Sequence, residues 1–303
     1  KPDLRFDLPL QNLSEFAKSC DFQVFRRAIE SGGMVKSLVI PKGGAFTRNR
    51  IDNLIDTAKE FGAKGLAWVK ISEDGKLDSS IAKFLNTEAL RAALPSAKPG
   101  DLLLFVADQA TVVHQVLGRL RLLLGEELQL IDKSRWEALW VVDFPMFEYD
   151  DTSQRHVALH HPFTAPHTED IPLLDSEPLK AKTLAYDLVL NGFELGGGSI
   201  RIHSPSMQEK VFDLLKISKE EAREKFGFLL DALESGAPPH GGIALGLDRL
   251  IMLLGQTESI RDTIPFPKTQ KAQCLMTHAP SSVSPEQLQE LSIRTTTKKP
   301  AAS

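Results

Sequence analysis

The stretch LAYDLVLNGFELGGGSIRIH constrains the fold more tightly than any other part of the chain. Asn191-Gly192 between two alternating apolar runs is the strongest short signal for a β-hairpin, because the two-residue turn that matches strand twist needs positive φ at both positions. Such a turn pairs Leu190 with Phe193 and Val189 with Glu194. Asp187 then shares a face with Glu194, as a diagonal neighbour about 7–8 Å away at the α-carbons. Two carboxylates on a half-buried face repel unless a cation sits between them or one is protonated. Oxygen donors of this kind suit Mg²⁺, which keeps waters and bridges to phosphates; two solvated acids on an exposed face are the alternative. Arg201 has opposite parity to Glu194 in a regular strand. A bulge at Gly196-Gly197-Gly198 reverses the alternation and brings Arg201 round to the acidic face.

A second constraint is GGIALGLDRLIMLL. It predicts a short strand from Ile243 to Leu245, a glycine corner at Gly246, and an amphipathic helix from Leu247 that buries Leu250, Ile251, Leu253 and Leu254. Arg249 falls in the first helical turn, where the helix dipole disfavours a cation. A nearby anion or aromatic face accounts for it, since helix N-termini bind phosphate and guanidinium stacks on rings. A solvated arginine is the plain alternative.

Upstream, VALHHPFTAPH is a proline-punctuated loop carrying His160, His161 and His167, with the His160-His161 pair at a strand end. EALWVVDFPMFEYD and QRHVAL are expected to be neighbouring antiparallel strands. Ser204-Pro205 and the Ser218–Glu221 capping box mark the starts of two helices. The residues up to about Arg135 form their own module. FQVFRRAI, MVKSLVIP, GLAWVKI and DLLLFVAD read as strands; RNRIDNLIDTAKEFGA and VVHQVLGRLRLLLGEEL read as helices. That module shows no metal spacing, phosphate loop or nucleophile constellation.

With 303 residues the chain has room for about two domains. A net charge of −4 carries no global signature of nucleic-acid binding, though mean charge does not exclude a local patch. Cys20 and Cys274, far apart, argue against a disulfide framework and fit a reducing cytoplasm. No apolar run approaches a membrane span, and no signal peptide is visible. A start at Lys1 rather than methionine reads as a fragment or a processed product. Residues 291–303 read as a flexible tail.

Taken together, LNGFELGGGSIRIH, APPHGGIALGLDRLIMLL, VALHHPFTAPH and SIRDTIPFPKTQ resemble the C-terminal half of a bacterial-type aspartyl-tRNA synthetase, a class II aminoacyl-tRNA synthetase. The corner resembles the third signature motif of that class. Residues 1–135 resemble the insertion domain these enzymes share with a tRNA-dependent amidotransferase subunit. The resemblance implies an α+β fold: an incomplete class II antiparallel-sheet catalytic core over residues 136–290, plus a separate α/β insertion domain. It implies ATP, L-aspartate and tRNA as substrates, Mg²⁺ as cofactor, a cytoplasmic homodimer and no membrane. By position, Glu194, Arg201 and Arg249 are the catalytic residues, and Asp187 and Glu194 the metal carboxylates. His160 and Arg201 hold aspartate, while Glu194, Gly246, Leu247, Asp248 and Arg249 bind ATP. The family also has an anticodon-binding domain, a dimer-forming first motif and a second motif with an arginine on the α-phosphate. Its pattern places all three before Lys1, so the fragment alone is expected to be inactive. Two other readings are a synthetase-like binding or regulatory module without charging activity, and a related asparagine-handling enzyme. The insertion domain argues against the second, and intact Glu194, Arg201 and Arg249 argue against the first.

Overall fold

The computed structural model describes residues 1–296, so the expected tail over 291–303 lies outside the described residues from 297 onward. The chain divides into two units. One is Asp3–Glu137; the other joins Lys1–Pro2 to the residues from Ala138 onward.

In the first unit, β1 (Gln11–Asn12), β2 (Met34–Ile40), β3 (Ala67–Ile71), β4 (Leu77–Asp78) and β5 (Leu102–Asp108) form a sheet in the order β1-β2-β5-β3-β4, antiparallel throughout. Helices α1 (Ser14–Lys18), α2 (Gln23–Glu30) and α4 (Thr87–Ala93) cover one face; α3 (Arg48–Glu60) and α5 (Ala110–Glu127) cover the other. This explains the apolar run in β5. Leu102, Leu104 and Val106 pack with α3 and α5, while Leu103 and Phe105 pack with the opposite helices. A strand buried on both faces has no polar side to alternate with.

One expected strand is a helix. FQVFRRAI forms most of α2, because Phe25 and Ala28, three apart, are buried together while Arg26 and Arg27 are left outside. Its β-favouring phenylalanines and valine suggested a strand, but spacing on the core face decides. The helix ends where Gly32, at φ 78°, turns the chain. Gly33 then admits the Asp108 carbonyl, which a β-carbon there would meet at 2.5 Å.

In the second unit, β6 (Ala138–Val141), β9 (Ala185–Leu190), β10 (Phe193–Ile200) and β11 (Gly241–Leu245) form an antiparallel sheet ordered β11-β10-β9-β6. β7 (Phe147–Asp150) and β8 (Arg155–Ala158) make a separate hairpin. The run expected as one strand from Glu137 to Asp150 is therefore split between two sheets. Asp143, at φ 59°, breaks it, and Pro145 has no N–H for a ladder. Helices α6 (Leu173–Ser176), α7 (Pro205–Leu214) and α8 (Lys219–Glu234) supply most of this unit's helical cover. There Phe163 meets Phe212 and Phe226 edge-on, and those two rings stack on each other. Beyond β11 come α9 (Leu247–Leu254) and, after irregular chain, α10 (Pro285–Glu290). The expected buried face of α9 is not buried: Leu250 and Leu253 are half-buried, Ile251 and Leu254 are exposed, and the one buried side chain is Met252, which lies outside the expected set; Ile243 and Leu245 of the edge strand are exposed as well. Periodicity marks an apolar stripe, but what lies against it is a tertiary matter. Among the described residues, no helix is long and apolar enough to cross a membrane.

Arg121 on α5 organises the start of the first unit. Its guanidinium donates to the carbonyls of Asp3, Phe6 and Leu8 at 2.8–3.0 Å and lies 3.9 Å from the centre of the Phe6 ring. Arg121→Met should leave those carbonyls short of donors and cost about 2–3 kcal/mol of unfolding free energy. Urea denaturation of wild type and variant measures it, and a change within error would show that water replaces the guanidinium without cost.

Candidate active site

The site starts from the hairpin. Asn191 and Gly192 both have positive φ, 50° and 83°, so Leu190 pairs with Phe193 and Glu194 with Val189. The register then shifts: Gly196 pairs with Leu188 and Gly197 with Asp187, which leaves Leu195 as an extra residue. The bulge thus lies one residue ahead of the glycine run where it was expected, and the three glycines sit in a regular ladder. Its consequence is a reversed alternation. Glu194, Gly197 and Ser199 fall on the face of Asp187, and Arg201 continues that parity through its bridge to Thr164.

Each glycine of the run has a local cause. A β-carbon on Gly198 would come 1.9 Å from the Gly242 carbonyl, and one on Gly196 would come 2.4 Å from that of Ala244. Both spaces are taken by the neighbouring strand β11. A β-carbon on Gly197 would instead come 2.7 Å from Asp187 Oδ1. That glycine makes room for a carboxylate that is itself only 8% exposed.

Lys1 neutralises the pair. Its Nζ lies 2.7 Å from Asp187 Oδ2 and 3.0 Å from Glu194 Oε2. Burial works against the ammonium, but hydrogen bonds and charge from Asp187 and Glu194 outweigh it and raise the Lys1 pKa. The same Nζ lies 5.7 Å from the centre of the Phe144 ring, and Phe144 meets His160 edge-on at 4.6 Å. Two carboxylates already converging on one cation are a donor set that fits Mg²⁺. Among the described residues, no group of three or more His, Cys, Asp or Glu side chains gathers as a fuller metal cluster.

The glycine corner docks on the bulge. Gly246 N–H donates to the Leu195 carbonyl at 2.7 Å, and Arg249 Nη1 donates to the Glu194 carbonyl at 2.7 Å. This contact accounts for a cation in the first turn of α9. Leu247 and Asp248 complete that turn with exposed side chains, and the Asp248 carbonyl accepts from Thr263 Oγ1.

On the far side of the sheet's end, the histidine loop runs along the exit of β10. Ala165 N–H donates to Ile200 O, Ile202 N–H to Phe163 O, and Arg201 N–H to His240 O. The Arg201 guanidinium makes no hydrogen bond or ion pair among the described residues. Partial desolvation and that guanidinium hold the His161 pKa below the ordinary imidazole value.

The residue pattern over positions 1–270 matches the family described as tRNA synthetases class II (D, K and N). The chain belongs to that family. The chain is 55% identical over 296 residues to the aspartate–tRNA(Asp/Asn) ligase of Desulfatibacillum aliphaticivorans, a match covering 97% of this chain and 50% of that one. It is likewise 55% identical over 302 residues to the aspartate–tRNA(Asp/Asn) ligase of Bacillus mycoides, covering 98% and 51%. The chain thus spans about half the length of these curated relatives. A solved aspartyl tRNA synthetase from Entamoeba histolytica aligns at a TM-score of 0.35 and 15% identity, over 79% of this chain and 44% of that one.

The folded chain brings Asp187, Glu194 and Arg249 together, and sets His160 beside Phe144 and His161 beside Arg201. Sequence reasoning missed Lys1 and Phe144. The demand for a cation between two like charges was the available signal for Lys1, but nothing in the spacing points across the 186 positions that separate it from Asp187. Arg201→Leu should let the His161 pKa rise toward its ordinary value, read from the imidazole Cε1–H signal in an NMR titration. An unmoved titration would remove Arg201 from the surroundings of His161.

Proposed function

We propose that this chain is the C-terminal half of an aspartate–tRNA ligase. In this reading the complete enzyme activates L-aspartate with ATP and transfers it to the 3′ end of tRNA. One observation carries the reading: a single bulge gathers a carboxylate pair and a guanidinium-bearing corner in a chain 55% identical to proteins of that name. The unit Asp3–Glu137 serves as the insertion domain, close to the 1–135 expected from sequence, and the residues from Ala138 to about 290, with Lys1 and Pro2, serve as the C-terminal part of the catalytic core. The complete protein works as a homodimer in the cytoplasm. The apolar edge of β11 and the outer face of α9 suit burial by the other half of such a protein.

The chemistry is displacement at phosphorus. The α-carboxylate of aspartate attacks the α-phosphate of ATP; the bond to the β-phosphate's bridging oxygen breaks, leaving aspartyl-adenylate and pyrophosphate. The terminal ribose hydroxyl of tRNA then attacks the aspartyl carbonyl and releases AMP. Positioning and charge neutralisation supply the acceleration, with no covalent enzyme intermediate. Gly246, Leu247, Asp248 and Arg249 line the ATP pocket, and Arg249 packs on adenine. Asp187 and Glu194 would hold Mg²⁺, which would neutralise phosphate charge. Arg201 receives the side-chain carboxylate of aspartate through two parallel hydrogen bonds, with His160 in support. An amide offers NH₂ donors to the same fork and leaves it poorly paired, which separates aspartate from asparagine where shape does not.

In the complete enzyme, Arg201→Leu should lower kcat/KM for aspartate by about 10⁴, the scale of a pocket deprived of a polar partner. The KM for ATP should change much less. Loss confined to ATP affinity would take Arg201 away from the amino acid. The 303-residue chain alone should run aspartate-dependent pyrophosphate exchange at least about 10²–10³ below the complete enzyme, the usual cost of one missing transition-state contact. Exchange at a full rate would place all essential groups within this chain.

A further inference from the structure

We propose that Lys1 is a tethered counter-ion for the Asp187–Glu194 pair, one that a divalent cation must displace in order to bind there. The inference rests on the reading above only in taking that pair as the metal site. Three observations place the ammonium where a metal would go. It lies within 3.0 Å of one oxygen of each carboxylate, Asp187 Oδ2 and Glu194 Oε2. Phe144 presents its ring 5.7 Å from the same Nζ, so the cation is held on a third side without a competing donor. Gly197 leaves no side chain against Asp187 Oδ1. Pro2 restricts the backbone of Lys1 to extended conformations, which limits how the tether is laid.

Mg²⁺ held by these two carboxylates would bind their oxygens at about 2.0–2.1 Å. An ion held by both would take the place the ammonium occupies between Asp187 Oδ2 and Glu194 Oε2. Holding both would set three positive charges against two negative ones within contact distance. The two states are exclusive: ammonium in, with the carboxylates paired and ready, or metal in, with the ammonium released. Lys1 therefore acts as a positioning residue. It keeps two like charges converged when no metal is present, and it lowers the affinity of the bare site for metal. The released ammonium stays beside the site on its side chain, where an anion arriving with the metal offers it new partners.

The test uses Mn²⁺ alone, without nucleotide or aspartate, so it reads neither activation nor transfer. Free Mn²⁺ is followed by electron paramagnetic resonance during titration of the complete protein. Lys1→Met should bind Mn²⁺ about tenfold tighter than wild type, one charge-assisted hydrogen bond's worth of competition removed. Adding Asp187→Asn should abolish the gain. Lys1→Arg, which keeps the charge, should stay near wild type. Equal or weaker Mn²⁺ binding by Lys1→Met, or equal tightening by Lys1→Arg, overturns the proposal. A wild-type measurement covers the case in which Lys1→Met fails to fold. Acetylation at Lys1 Nζ, followed by mass spectrometry, should accelerate several-fold when Mn²⁺ saturates the site, relative to NaCl of equal ionic strength. An unchanged or slower rate overturns the proposal equally. Failure of the synthetase reading, by contrast, appears as missing pyrophosphate exchange with the Mn²⁺ results intact.

Discussion

The extra residue at Leu195 sets the geometry on which the site depends. An antiparallel ladder assigns alternate residues to opposite faces, and one inserted residue reverses that assignment beyond it. Before the bulge, Glu194 shares the face of Val189 and hence of Asp187. After it, Gly197, Ser199 and Arg201 fall on that face too. Without Leu195 the acid pair and the arginine stand on opposite sides of the sheet. The bulge also turns the carbonyls of Glu194 and Leu195 toward the glycine corner, which takes them with Arg249 and Gly246. One insertion therefore aims the side chains and anchors the helix that approaches them.

Charge balance is the second requirement. Asp187 is almost wholly buried, and a buried carboxylate beside another is costly unless a cation is held between them. Lys1 meets that requirement from a remote point in sequence, and its ammonium gains more from the two carboxylates than it loses to burial. Arg201 differs. Its guanidinium makes no hydrogen bond or ion pair among the described residues.

The hairpin was legible in the sequence because Asn191-Gly192 accepts two consecutive positive φ values that most residues resist. The strand-corner-helix was legible because glycine and apolar spacing are both local signals. The bulge was foreseen as a need but placed in the glycines, since glycine marks unusual backbone without saying which kind. Here the run answers to strand β11 and to the Asp187 carboxylate. The α2 segment misled for a related reason. Phe22, Val24 and Phe25 favour strands on average, yet the sheet needed a helix's spacing of Phe25 and Ala28 against it. In the same way Glu137 to Asp150 looked continuous until Asp143 turned it.

By itself, then, the sequence determined whatever depends on neighbours along the chain: the turn and its register, helix starts, the apolar stripes, and a glycine corner with an arginine in the first turn. It also determined family membership, because those local patterns recur in order over 270 positions. Only the tertiary structure decided what depends on neighbours in space. It chose Leu195 for the bulge, brought Lys1 to Asp187 and Glu194, set Phe144 against His160, and left part of the α9 stripe exposed. The physical reason is the same in each case. Backbone preference acts within a few residues, whereas charge pairing and burial are settled by whichever groups the folded chain sets side by side.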